Sequence, residues 1–234
     1  MDLIFGTKRY RPEIRMLYDI KDLIYCKDWL KKTENIPLYY IYRDLSLTEH
    51  DRKKILSNCL RYDITIIPPR TLGIEYTKTA GHYHPHHYTE VYEVIEGEAH
   101  FLFQKGIDRL EDVVLIKAKE RDKVIIPPGY GHITINPSKN VLKLANWVSR
   151  NFIAIYDPIK KRKGGAYYET VDDIIRNENY EEVPELRVIK PREYPEFGLT
   201  NRIDLYQLVN NLELLKFLNH PEEFEDIYSF RSIL

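Results

Sequence analysis

Cysteine is nearly absent from this chain, and that removes two architectures at once. The 234 residues hold only Cys26 and Cys59. They lie far apart and in no C-x-x-C pair, so neither a disulfide scaffold nor a zinc knuckle is expected. An excess of one charge is missing as well: 35 Lys and Arg stand against 36 Asp and Glu, a net charge of −1. A dedicated nucleic-acid binder usually carries a basic imbalance, so no nucleic-acid partner is expected. No apolar run is long enough to span a bilayer. The stretch Met1-Asp2-Leu3-Ile4-Phe5-Gly6-Thr7-Lys8 lacks the apolar core of a signal peptide. These absences predict a soluble cytoplasmic protein with no membrane partner. Internal repeats and low-complexity segments are also lacking. With only two methionines and many Lys, Glu, Ile and Tyr, the composition resembles that of a thermophile's protein.

What is present divides into regions of different texture. Residues 19–33 carry Leu23, Tyr25, Cys26, Trp29 and Leu30 at roughly helical spacing, which predicts a helix. Residues 38–42 predict a strand, and a second helix is expected from Thr48, with Asp51 as an imitation of a capping box, to about Asn58. From Asp63 onward, apolar or alternating runs at 64–67, 73–79, 90–95, 99–104, 112–116, 123–126, 132–136 and 142–155 read as strands. Glu96-Gly97-Glu98 reads as a hairpin turn between two of them. Runs at this spacing, without helical segments between, predict an antiparallel barrel or sandwich. Further on, Lys160 to Lys163 form a basic loop and 170–177 predict a short helix. Pro184, Pro191 and Pro195 mark an irregular connector, and 201–217 predict an amphipathic helix carrying Leu205, Leu208, Leu212 and Leu215.

The chemistry concentrates in two motifs. His82-Tyr83-His84 and Glu90 fit H-x-H-x5-E, with Gly97 following after six residues; residues 127–136 fit P-x-G-x2-H-x3-N around His132. Side chains two apart in a strand share a face, so His82 and His84 point the same way. Glu90 follows a turn around Pro85 and begins the neighbouring strand. His132 comes from a later strand that barrel closure brings alongside, and Pro127-Pro128-Gly129 fixes where that strand begins. A lone H-x-H in a strand is more often a solvent-facing pair or a packed core pair. Adding Glu90 and His132 turns the reading to a metal site. Three imidazoles and one carboxylate suit one divalent ion, Fe, Mn, Ni or Zn, with positions left open for a substrate. His86 and His87 read as solvated loop residues, His100 as a hydrogen-bonded lining residue, and His50 and His220 carry no assigned function.

Together the two motifs resemble those of the cupin superfamily. More narrowly, 79–84, Glu90-Val91-Tyr92, 127–132 and Ala154-Ile155-Tyr156, with Thr65 and Gly73-Ile74-Glu75 upstream, resemble the archaeal cupin-type glucose-6-phosphate isomerases over roughly residues 60–170. The resemblance implies a mainly β, cupin-type antiparallel barrel (a double-stranded β-helix, or jelly roll) over 60–170. To it are added an N-terminal helical and strand extension over 1–59 and a C-terminal helical extension over 171–234, packing on the barrel or on a partner subunit. It implies that His82, His84, Glu90 and His132 bind the metal, Fe2+ or Mn2+ before Ni2+ or Zn2+. It implies that Thr65, Thr79, Gly81 and Tyr156 hold a sugar phosphate and that Tyr92 lines the pocket. The chain departs from the family in having Gly129-Tyr130-Gly131-His132 where an aromatic-x-x-H run is common. It also has Ala166 where a histidine often precedes a tyrosine.

Aldose–ketose isomerisation removes a proton from the carbon beside a carbonyl and passes through an enediolate. Glu90 is the carboxylate nearest such a substrate and is nominated as general base. A metal-bound carboxylate is a weaker base, so a metal-assisted hydride shift stays open beside proton transfer. The Lys160 to Lys163 loop could supply charge for the phosphate, but on sequence alone a solvated loop is the better account of it. Two other readings stand beside the isomerase. One is another metal-binding cupin, either an oxygenase or a different sugar isomerase; the other is a non-catalytic sugar- or metabolite-binding cupin. A homodimer is expected, since related cupins commonly pair.

Overall fold

The computed structural model describes residues 2–85 and 88–224. His86 and His87, read above as solvated, lie outside the described residues. In chain order the N-terminal part gives β1 (Leu3–Phe5), β2 (Lys8–Tyr10), β3 (Glu13–Met16), helix α1 (Lys27–Leu30), β4 (Pro37–Tyr42) and helix α2 (Glu49–Ser57). Then follow β5 (Leu60–Ile67), β6 (Thr71–Leu72), β7 (Glu75–Lys78), β8 (Glu90–Glu96), β9 (Glu98–Lys105) and β10 (Asp112–Lys119). β11 (Lys123–Ile126), β12 (Tyr130–Asn136) and β13 (Leu142–Ser149) lead to α3 (Asp157–Lys161), β14 (Tyr167–Glu169), β15 (Ile174–Arg176) and β16 (Leu186–Ile189).

Two six-stranded sheets carry the fold. The first runs β16-β10-β9-β12-β7-β6 and the second β11-β8-β13-β5-β4-β3. All pairings within them are antiparallel except β10 with β16, which is parallel. This is the mainly β, cupin-type jelly roll that the motifs implied. The sheets share one core, in which Phe101 and Phe103 of the first pack with Val94, Leu144 and Ile67 of the second.

Strand period explains why the second sheet has two different faces. Along β5, Leu60, Tyr62, Ile64 and Ile66 point outward into a second apolar cluster with Trp147. Arg61, Asp63 and Thr65 point the other way and line a cavity. The outward cluster is covered by the 3-10 segments Leu205–Asn210 and Leu212–Leu218. Trp147 is fully buried there, and its Nε1 donates to the Leu205 carbonyl at 2.9 Å. Glu93 on the same face accepts from Lys123 Nζ (2.9 Å) and from the Leu205 backbone N–H (2.6 Å). No helix among the described residues is long and apolar enough to cross a membrane.

Several expected elements take another form. The helix expected over 19–33 is a 3-10 segment, Leu17–Leu23, and the short α1, because Ile24 is extended (φ −83°, ψ 133°) and Tyr25 donates its N–H to the Glu75 carboxylate. The helix expected over 170–177 is a turn and β15: the Thr170 hydroxyl donates to the Asp173 carbonyl and accepts from the Asp173 N–H, and Ile174-Ile175 pair with β14. The helix expected over 201–217 breaks at Asn211 (φ −147°, ψ 74°), although Leu205, Leu208, Leu212 and Leu215 are all buried as the pattern required. The strand expected over 142–155 stops at Ser149, and the proline-marked connector contains β16. Helix α2 forms as expected, with the Thr48 side chain accepting from Asp51 N at 3.0 Å.

The turn at Glu96-Gly97-Glu98 is not a hairpin. β8 pairs with β11 and β13, whereas β9 pairs with β10 and β12, so the chain changes sheets at Gly97. Gly97 has φ +84°, and a Cβ there would lie 2.5 Å from the Val141 carbonyl oxygen. Gly97→Ala is therefore expected to destabilise by about 1–3 kcal/mol, measured as a lowered denaturant midpoint with an unchanged slope.

Candidate metal centre and substrate cavity

His82 and His132 lie opposite each other in a short antiparallel bridge, with N–H to carbonyl distances of 3.2 and 3.0 Å. Tyr83 makes the next bridge on its other side, to Ile155, at 2.9 and 2.8 Å. The His82–His84 segment is thus clamped between β12 and the 152–156 segment rather than forming a regular strand. Parity still holds. His82 and His84 face the centre, while the Tyr83 hydroxyl turns away to donate to the Gly106 carbonyl at 2.6 Å. Glu90 opens β8 in the opposite sheet, not in the strand beside His82. Both sheets therefore contribute to one point.

At that point the four side chains present one donor atom each within 4.8 Å of one another. His84 Nε2 lies 3.2 Å from His82 Nε2 and 3.3 Å from Glu90 Oε2, and His132 Nε2 lies 3.4 Å from the same oxygen. Glu90 Oε2 and His132 Nε2 are buried and have no hydrogen-bond partner. Orphaned buried polar atoms are rare, and two that face each other need something between them. A divalent cation is the species that such a donor set fits.

The surroundings orient these ligands. Asn146 Nδ2 donates to Glu90 Oε1 at 2.7 Å, which leaves Oε2 for the centre. The Tyr88 carbonyl lies 3.2 Å from His84 Nδ1. A proton held there leaves Nε2 with its lone pair toward the centre. Phe152 packs on the His84 ring, centroid to centroid 4.6 Å. Burial, with help from neighbouring imidazoles, holds His82 well below the ordinary histidine range, and burial lowers His132. Burial would raise the Glu90 carboxyl, but His132 and His84 outweigh it and hold the group well below its usual range. The site therefore presents neutral His82 and His132 with an ionised carboxylate, the protonation states that bind metal. A second cluster, His220, Glu222 and Glu223, is exposed, and Glu223 pairs with Lys216, as solvated surface charges do.

A cavity of about 320 Å³ opens beside the four residues. Thr65, Thr79, Gly81, Tyr92 and Tyr156 all line it, so the residues that the resemblance named for metal and substrate come to one cavity. Burial and the Glu90 carboxylate push the Tyr92 hydroxyl well above its ordinary range, so it stays protonated. Lys160 to Lys163 lie on α3 and the turn after it; Lys160, Lys161 and Lys163 are exposed and none of the four is in the cavity wall, as the solvated reading has it. The cations that line it are Arg15, Arg43 and Arg61, on β3, beside β4, and on β5. His100 is hydrogen-bonded, to Glu169 at 2.7 Å, but it does not line the cavity. Sequence reasoning also passed over Asp63 and Asn146. Each is a buried polar residue in a strand with several buried apolar neighbours, and that was the available signal.

The sequence matches the family described as glucose-6-phosphate isomerase (GPI) over residues 15–185, well over half of the chain. No curated protein matches it in sequence. Among solved structures, it is similar to an oxalate oxidase in complex with the substrate analogue glycolate, with TM-score 0.36 and 19% identity over 43% of this chain and 47% of that chain. It is also similar to vicilin from Corylus avellana (hazelnut), with TM-score 0.40 and 19% identity over 62% of this chain and 35% of that one. Oxalate decarboxylase from Bacillus subtilis matches with TM-score 0.37 and 16% identity over 54% and 30% of the two chains. The chain thus spans less than half the length of each of these solved structures.

Proposed function

The chain belongs to the glucose-6-phosphate isomerase family, and we propose that it interconverts glucose 6-phosphate and fructose 6-phosphate using one divalent ion, Fe2+ or Mn2+ first, held by His82, His84, Glu90 and His132. The observation that carries the metal dependence is the pair of buried, partnerless atoms, Glu90 Oε2 and His132 Nε2, facing each other at 3.4 Å. A bound divalent ion supplies Lewis-acid polarisation of substrate oxygens.

The remaining work falls to side chains. Two carboxylates line the cavity, Asp63 and Glu90. Asp63 is engaged by Arg61 Nε (2.8 Å), Arg43 Nη1 (3.1 Å) and Asp44 N (3.0 Å). Glu90 is left as the group that takes and returns the proton on the carbon beside the carbonyl. Asn146 holds it in register, and the protonated Tyr92 hydroxyl is a donor for a substrate oxygen. Thr65, Thr79, Gly81 and Tyr156 hold the phosphate end. The partner molecule is a sugar phosphate, and the working form is a cytoplasmic homodimer.

Conversion of fructose 6-phosphate to glucose 6-phosphate by chelator-stripped protein, compared with the same sample reloaded with Fe2+ or Mn2+, tests this reading. Activity is expected to vanish on stripping and to return on reloading. Metal-loaded protein without turnover of either sugar phosphate would overturn it.

A further inference from the structure

The wall facing the proposed phosphate end contains three guanidinium groups, and they are not equivalent. Arg43 and Arg61 share the buried Asp63 carboxylate, and Arg43 also bonds Glu13 at 3.0 Å. Arg15 has no carboxylate within ion-pair distance among the described residues, and its buried Nε has no hydrogen-bond partner. It reaches the cavity by register. β3 is the edge strand of the second sheet, and Arg15 pairs directly across from Tyr39 of β4, so both side chains stand on the cavity face.

Tyr39 fixes what lies beside Arg15. Its hydroxyl oxygen accepts the Ala80 backbone N–H at 3.2 Å. Burial pushes that hydroxyl above its ordinary range even with the Arg15 charge nearby, so it keeps its proton. Ala80 is two residues before His82, at most about 7 Å away along the chain. On the same stretch, the Thr79 oxygen accepts from Thr134 N at 3.0 Å, which leaves its own O–H to donate. Arg15 offers donors only and carries a full positive charge without a carboxylate, and the Tyr39 and Thr79 hydroxyls, whose oxygens each already accept a backbone N–H, keep an O–H to donate. That is an anion site, set about one sugar length from the metal ligands.

We propose that Arg15 is the cation that makes this cavity select a terminally phosphorylated open-chain sugar over its unphosphorylated counterpart. The planar guanidinium fits a tetrahedral phosphate through two parallel N–H bonds. The proposal rests on the isomerase reading and adds a specificity residue that lies outside both motifs, on the N-terminal edge strand.

The test compares the wild type with Arg15→Met and Arg15→Lys, using kcat/KM for fructose 6-phosphate and for fructose, with metal content and thermal midpoint measured on each sample. Arg15→Met is expected to lower the ratio of the two kcat/KM values about 10- to 100-fold, mainly through KM for the phosphorylated sugar, with full metal content. Arg15→Lys is expected to recover part of that ratio. An unchanged ratio, or equal losses on both sugars, overturns the proposal while leaving the isomerase reading intact. Should the wild type turn over neither sugar, the isomerase reading fails on its own. Calorimetric titration with fructose 6-phosphate then decides the anion site. Binding at least tenfold weaker in Arg15→Met than in the wild type upholds it, and equal binding overturns it.

Discussion

His132→Ala is expected to lose bound metal, with affinity falling by more than about 100-fold, and to lose turnover with it. Removing a group that merely orients a ligand costs roughly 10- to 100-fold in affinity, so removing a ligand should exceed that. The geometry makes His132 a demanding case. Its ring is almost fully buried, 4.4 Å from the His82 ring, with Nε2 turned to Glu90 Oε2. The truncation also leaves a buried carboxylate with one fewer imidazole beside it. The backbone bridge to His82 does not depend on the side chain, so the fold around the deletion keeps its hydrogen bonds. His84→Ala should behave alike. His50→Ala, on an exposed position of α2, should keep full metal and activity. Metal content after gel filtration, and competition with a chelator of known affinity, measure the effect. Stoichiometric metal in His132→Ala would remove this residue from the ligand set.

The ligand residues were legible because their spacing is local. Two histidines one residue apart share a face whatever the larger fold does, and Pro127-Pro128-Gly129 marks the start of β12 in the sequence itself. What spacing does not encode is which sheet a strand joins. Gly97 looks like a hairpin glycine, since a tight turn and a corner between sheets both ask for positive φ. The choice is made by partners far away, β11 and β13 for β8, β10 and β12 for β9.

The helix expected over 201–217 shows how burial can be read where helix type cannot. Leu205, Leu208, Leu212, Leu215 and Leu218 recur every three or four residues and are all buried. That pattern suits an α-helix and also 3-10 turns with three residues per turn. Burial was therefore readable and helix type was not. The arginines show the opposite limit. Arg15, Arg43 and Arg61 have no local signature, and sheet pairing alone gathers them on one face. The conspicuous basic run at Lys160 to Lys163 lies outside the cavity wall.

Glu90→Gln is expected to lower kcat by about 10²- to 10⁴-fold even at metal concentrations that load the site, the range for removal of a general base. The substitution is isosteric, but Asn146 decides which way the new amide turns. Asn146 Nδ2 donates to the Oε1 position at 2.7 Å, so the glutamine oxygen must sit there to accept it. The glutamine NH2 is then forced to the Oε2 position, among His84 and His132, where a lone pair is required. One atom change therefore removes the proton acceptor and presents a donor to the metal. Asn146→Leu provides the contrast. It frees Oε1 but keeps the carboxylate, so an effect of roughly 10- to 100-fold is expected, with metal retained. Comparing kcat of the two variants at matched metal occupancy separates ligand loss from base loss. If fully loaded Glu90→Gln turns over within a few-fold of the wild type, the proton passes through another group, and Glu90 serves the metal alone.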